Sequence, residues 1–145
     1  MSLTLQEQLT KEINAFYLEV NEVTKEVARN VMKEVLENTV VDTSQAISNW
    51  ELQLDTPNKS FIDAHFQGSR GSTAEASESE SLSLAEANLA TRKLGQDIFI
   101  TNNIKGEWSD TQSYDQRSQV LIAERVAVES ADKAILIAQS KLRNR

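Results

Sequence analysis

Apolar residues recur along the first third of the chain at spacings of three and four. Leu5, Leu9, Ile13, Phe16, Val20, Val23, Val27, Val31 and Val35 form one stripe, with Glu and Lys on the other faces. That is the pattern of an amphipathic helix. Thr4, with Glu7 three residues on, supplies a capping-box start. Neither Gly nor Pro interrupts the run before Asn38, so one helix of roughly 50 Å is expected at 1.5 Å per residue. The period then changes. Trp50, Leu52 and Leu54 alternate with Glu51 and Gln53, which reads as a half-buried strand ended by Thr56-Pro57-Asn58.

Residues 55–81 read as a mobile Ser/Glu-rich loop. Phe61, Ile62 and Phe66 are its candidate anchors, and 67–81 hold no large apolar side chain to offset the entropy of ordering. A helix is expected from Ser81 or Ser83 through Lys93, with Leu82, Ala85, Leu89 and Leu94 inward and Gly95 at the C′ position. Asp97 to Thr101 reads as a β-branched strand, and Asn102-Asn103 ends it. Lys105 to Asp115 is expected to be loop, carrying Trp108 and Tyr114. A last helix is expected over 114–143. In it Leu121, Val128, Ile135 and Leu142 recur every seven residues, and Ala123, Ala127, Ala131, Ala134 and Ala138 permit close approach of a partner. A helix apolar on more than one face is buried or shared between subunits. Leu121, Val128 and Ile135 are therefore the candidate oligomer interface. The reading is a single α+β domain over 1–145: a long N-terminal helix, a small β-sheet with a packed helix, and a long C-terminal helix.

Composition narrows the chemistry. The 145 residues carry a net charge of −7, a field that repels phosphate and argues against a nucleic-acid-coating role. With no Cys there is no disulfide, zinc-thiolate site or thiol nucleophile, and a reducing compartment is expected. The chain has one histidine, His65, so a His-rich metal site is excluded. The four glycines form no phosphate-binding loop. No run of 18 apolar residues suggests a membrane span, and no signal-peptide pattern opens the chain. Neither catalysis, a cofactor nor a metal is expected.

One ordered set of short motifs remains. Val41-Asp42-Thr43 is followed by Asn49-Trp50, then by a helix, then by Ile100-Thr101-Asn102-Asn103. In order and separation this resembles the neck proteins of tailed bacteriophages, the tail-completion or head–tail joining family, over roughly residues 10–104. Two departures stand out. Ser44 occupies the position where the family carries Gly, and IKGEWSDTQSYDQ replaces the family's continuation after T-N-N. The resemblance implies a structural virion protein between portal and tail, assembled as a six- or twelve-fold homo-oligomeric ring. Its implied partners are itself, portal or adaptor proteins and tail proteins, with DNA passing nearby without specific binding and no membrane contact. It implies location in the virion, with the host cytoplasm as the site of assembly. The alternative is a non-viral helical scaffold or regulatory protein; a small hydrolase built on Asp, Glu and His65 ranks third.

Overall fold

The computed structural model describes residues 3–104 and 111–144. The fold is α+β. Helix α1 spans Leu5–Glu37, α2 Gln45–Ser48, strand β1 Trp50–Leu54, α3 Ala74–Ala90, β2 Ile98–Asn102 and α4 Thr111–Arg143. The expectation for Lys105–Asp110 and Trp108 lies outside the described residues, while Thr111 onward, including Tyr114, is helical.

Helix α1 runs unbroken for 33 residues. Glu7 N–H donates to Thr4 Oγ1 at 3.2 Å and Thr4 N–H to Glu7 Oε2 at 2.8 Å, satisfying two N-terminal donors that the helix leaves without partners. Strands β1 and β2 pair antiparallel in the register Trp50↔Asn102, Leu52↔Ile100 and Leu54↔Ile98. A two-stranded sheet is marginal alone. Helix α3 covers it, and Asn88 Nδ2 donates to Leu52 O at 2.7 Å. The core gathers Met32, Val35 and Leu36 of α1, Ile47, Trp50 and Leu52, Ala85 and Leu89 of α3, and Val120 of α4. An Arg29–Glu86 ion pair ties α1 to α3, and the same contact raises the Arg29 pKa.

Helices α1 and α4 pack antiparallel. Lys141 Nζ lies 3.9 Å from Glu26, while Lys133 and Ala134 share a groove with Asn30, Lys33 and Glu37. The alanines at 131, 134 and 138 lie on the less exposed side of α4. The two helices are offset along each other, so the start of α1 runs past the end of α4.

Besides the earlier start of α4, the structure corrects the sequence reading at both ends of α3. The segment 55–81 is not loop throughout, because α3 begins at Ala74. Its first turns bury Ser77 and Ser81, at 0% and 2% exposure. Ser77 Oγ donates to Phe66 O and Ser81 Oγ to Ile47 O, each at 3.4 Å. Small hydroxyl side chains bring the helix close to its neighbours and satisfy their carbonyls, a route to order that needs no large apolar group. At its other end α3 stops at Ala90 rather than Lys93, so Leu94, expected inward, lies beyond the helix and is exposed, and Gly95 (φ 91°) sits in the following turn, not at the helix C′ position.

Candidate functional site

The motif residues meet at one place. Asn49 is fully buried at the end of α2. Its Nδ2 donates to Gln45 O at 2.8 Å and Ile62 O at 3.0 Å, and its Oδ1 accepts Ile62 N–H at 3.1 Å. One side chain thus fastens the 55–73 segment to the end of α2. Of the three expected anchors in that segment, Ile62 is held in this way, whereas Phe61 and Phe66 are exposed. Trp50 follows, its ring in the core and its Nε1 donating to Thr39 Oγ1 at 2.9 Å. Asn102, opposite Trp50 in the sheet, donates to Ala46 O at 2.9 Å and accepts Ile104 N–H at 3.0 Å. Asn103 Nδ2 donates to Asn58 O at 2.8 Å, while its N–H donates to Asn49 O at 3.4 Å. Ile100 packs against the core and Thr101 Oγ1 reaches Asn58 O at 3.5 Å.

The Val41-Asp42-Thr43 block forms the second half of this hub. Asp42 Oδ1 accepts Arg70 N–H at 2.7 Å and Asp42 O accepts Gly71 N–H at 3.0 Å. Thr43 Oγ1 accepts Gln45 N–H at 3.4 Å, and Thr43 O accepts Gly68 N–H at 3.4 Å. A Cβ on Gly71 would stand 3.0 Å from Val41 O, and Gly71 has φ 73°, so two constraints select glycine there. Ser44 has φ 69°, the left-handed conformation that glycine adopts without strain, and its Oγ lies 2.7 Å from Thr73 Oγ1. Sequence reasoning did not foresee this pairing of the 41–44 turn with the 68–73 turn; the glycines at 68 and 71 were its one available signal.

The hub's polar atoms are used within the fold. Among the described residues every buried side-chain nitrogen and oxygen has a partner. His65 N–H donates to Ser48 Oγ at 3.0 Å, making the histidine part of the same fastening. Among the described residues no group of three acidic or histidine side chains is placed to hold a metal ion, and no helix is long and apolar enough to cross a membrane.

The candidate interface residues lie elsewhere. Val128 and Ile135 of α4 are 56% and 44% exposed, seven residues apart and flanking the alanine side that faces α1. The side chain of Leu121 lies outside the described residues. Glu75, Glu78 and Glu80, expected on a loop, belong to α3. Burial raises the Glu78 pKa, and the charges of Glu37 and Glu75 add to the rise.

Hub and helices together define an α+β fold: two turns and two strand ends clasped by short polar side chains, carried between two long helices. No protein-family model, curated protein or solved structure matches the chain.

Proposed function

We propose that this chain is a structural protein of the bacteriophage neck, joining head (portal or adaptor) to tail as part of a homo-oligomeric ring around the DNA channel. The observation that carries the reading is the clasp. The Asn49-Trp50 and Thr101-Asn102-Asn103 motifs are separated by about fifty residues in sequence, yet Asn103 N–H donates to Asn49 O and Asn102 to Ala46 O, while Asp42 ties the turn before them to Arg70 and Gly71. Ser44, the departure from the family pattern, has the backbone conformation glycine prefers. Such a hub is scaffolding. It fixes the ends of α2, β1 and β2 so that the faces of the long helices are held rigidly for contact. A ring needs two different faces that close under rotation, and exposed Val128 and Ile135 supply one. The protein performs no catalysis in this reading and carries no cofactor.

Whole-particle imaging tests it directly. A tag fused after Arg145 should place density in the neck, and a Val128→Glu substitution should leave filled heads without tails. Tag density elsewhere in the particle, or intact infectious particles from Val128→Glu, refutes the assignment.

A further inference from the structure

The two edges of the small sheet are finished differently. Asp55 N–H donates to Asp97 O at 2.9 Å and Asn103 N–H to Asn49 O at 3.4 Å, one bond at each end of the ladder. Hydrogen-bonded pairs recur at every second residue of an antiparallel ladder, so Glu51 and Gln53 turn their backbone groups towards Thr101 and Phe99. Trp50, Leu52 and Leu54 therefore turn theirs outward from β1, and Ile98, Ile100 and Asn102 outward from β2. The β1 edge is closed, because α3 lies along it and Asn88 Nδ2 donates to Leu52 O. The β2 edge is open. No third strand pairs with it, each of its residues keeps part of its surface exposed, and among the described residues nothing bonds the main-chain N–H or C=O of Ile98, Ile100 or Asn102.

We propose that two copies of the chain pair through β2, antiparallel and centred on Ile100, to make one continuous sheet of four strands, two from each copy. A row of alternating N–H and C=O groups is matched in full by another extended strand, and β2 matches itself. About this centre Ile100 meets Ile100 and Ile98 meets Asn102, so every outward group of both strands is used. Centring on Phe99 or Thr101 instead sets Asn102 opposite Gln96, or Ile98 opposite Ile104. Both of those are committed within the fold. Gln96 N–H donates to Lys93 O, Gln96 O accepts Arg92 Nε and Nη2 at 3.1 and 2.8 Å, and Ile104 N–H donates to Asn102 Oδ1 at 3.0 Å. Charge selects the same surface. At −7 per chain two copies repel, but Ile98 to Asn103 carry no charge, and this register sets Asp97 opposite Asn103 of the second copy rather than opposite another acid. Nor does β2 hold a Lys, a Pro or a bulge, the features that block pairing at an edge.

Ile98 and Ile100 pack against the core on the face they share with Trp50 and Leu52. Opposed residues of an antiparallel pair point to the same side, so the apolar layer continues across the join, while Phe99 and Thr101 oppose each other on the far side. A strand of this length offers fewer residues than the roughly 20–30 per side of a standard interface, so the pair is weak and forms at high concentration. The contact is isologous and points its two copies in opposite senses, unlike the heterologous contacts that close a ring. It belongs to the free chain, and it goes beyond the neck reading without resting on it.

Because the chain has no Cys, Phe99→Cys and Thr101→Cys each introduce a single thiol. Opposed residues of a non-hydrogen-bonded pair stand about 4.5 Å apart between Cα atoms, within disulfide reach, whereas the diagonals from 99 to 99 and from 101 to 101 span about 7–8 Å. The two full-length variants, mixed at submillimolar concentration and mildly oxidised, should give several-fold more disulfide dimer than either alone. A mixture without that excess overturns the pairing, as does equal or faster dimer formation by one variant alone. Sedimentation equilibrium of the unsubstituted chain supplies a second reading. A dimer at submillimolar concentration is expected, and Phe99→Glu with Thr101→Glu, which opposes like charges twice across the join, should abolish it while circular dichroism shows an unchanged fold. A chain that stays monomeric, or a dimer that survives the paired substitution, overturns the proposal and leaves the neck reading to the particle images.

Discussion

Replacing Ser44 separates three energies that the structure superimposes at one position. Ser44 is buried at 1% exposure, has φ 69°, and hydrogen-bonds Thr73. The left-handed conformation costs a non-glycine residue about 1–2 kcal/mol. The hydroxyl pair returns about 1 kcal/mol. Ser44→Gly removes the strain but also the hydrogen bond, and it adds about 0.4–1 kcal/mol of unfolded-state entropy. The sum lies within about 1 kcal/mol of zero. Ser44→Ala keeps the strain and loses the bond, for a loss of about 1 kcal/mol. Ser44→Val adds a β-branched side chain in a conformation such residues avoid, and crowds a filled site, for a loss of about 2 kcal/mol or more. Urea unfolding followed by circular dichroism at fixed m-value reads these differences as shifts in midpoint. The expected order of stability is Gly, then Ala, then Val, with serine close to glycine. A glycine variant less stable than the alanine variant would falsify the strain assignment, as would a valine variant equal to wild type.

Trp50→Ala should cost about 3–5 kcal/mol, as large core truncations do, and Trp50→Phe should lose less because only the bond to Thr39 and part of the ring volume go; thermal melts of both check this. Asp42→Ala should cost about 1 kcal/mol through the lost acceptor of Arg70 N–H, and an unchanged melt would show that the two turns are not clasped there. Glu78 has a folded-state pKa raised by burial and by Glu37 and Glu75, so its charge opposes folding above that pKa and the penalty disappears as pH falls towards the unfolded-state value. Glu78→Gln should therefore stabilise the protein at pH 7, with the advantage shrinking on acidification; an advantage that grows instead contradicts the sign. The isolated protein should not shift duplex DNA at physiological salt, given its net charge of −7; a salt-sensitive gel shift at micromolar protein points to a DNA-handling role.

What could be read from the sequence depended on side-chain size. The stripe of α1 and the alternation of Trp50, Leu52 and Leu54 use large residues whose period states the element outright. The start of α3 uses Ser77 and Ser81, which bury as completely as leucine while looking like loop residues in one dimension. Their order depends on carbonyls at Phe66 and Ile47 that only the fold brings near. The hub was half visible for the same reason. Asp42, Asn49 and Asn102 were marked by the motifs, but Arg70 and Ile62 come from segments with no pattern of their own, and Ala46 offers Asn102 only a backbone carbonyl, which residue type does not mark. Ser44's left-handed backbone leaves no mark in residue type at all.

The pairing of the first helix with the last also sets an order of events during synthesis. Glu26 and Lys141 face each other across α1 and α4, yet about 115 residues of chain separate them. At 5–20 residues per second, a ribosome takes roughly 6–23 s to make that stretch. Throughout it Val23 and Val27 have no α4 to cover them. The sheet must form with the same delay on a smaller scale, since β2 follows β1 by more than forty residues. What α1 does possess from its first turns is the Thr4–Glu7 capping box, an interaction spanning three residues. A bond pair that needs only three residues of chain thus stands at the end of the helix that waits longest for its partner, and keeps that end wound until the chain is complete.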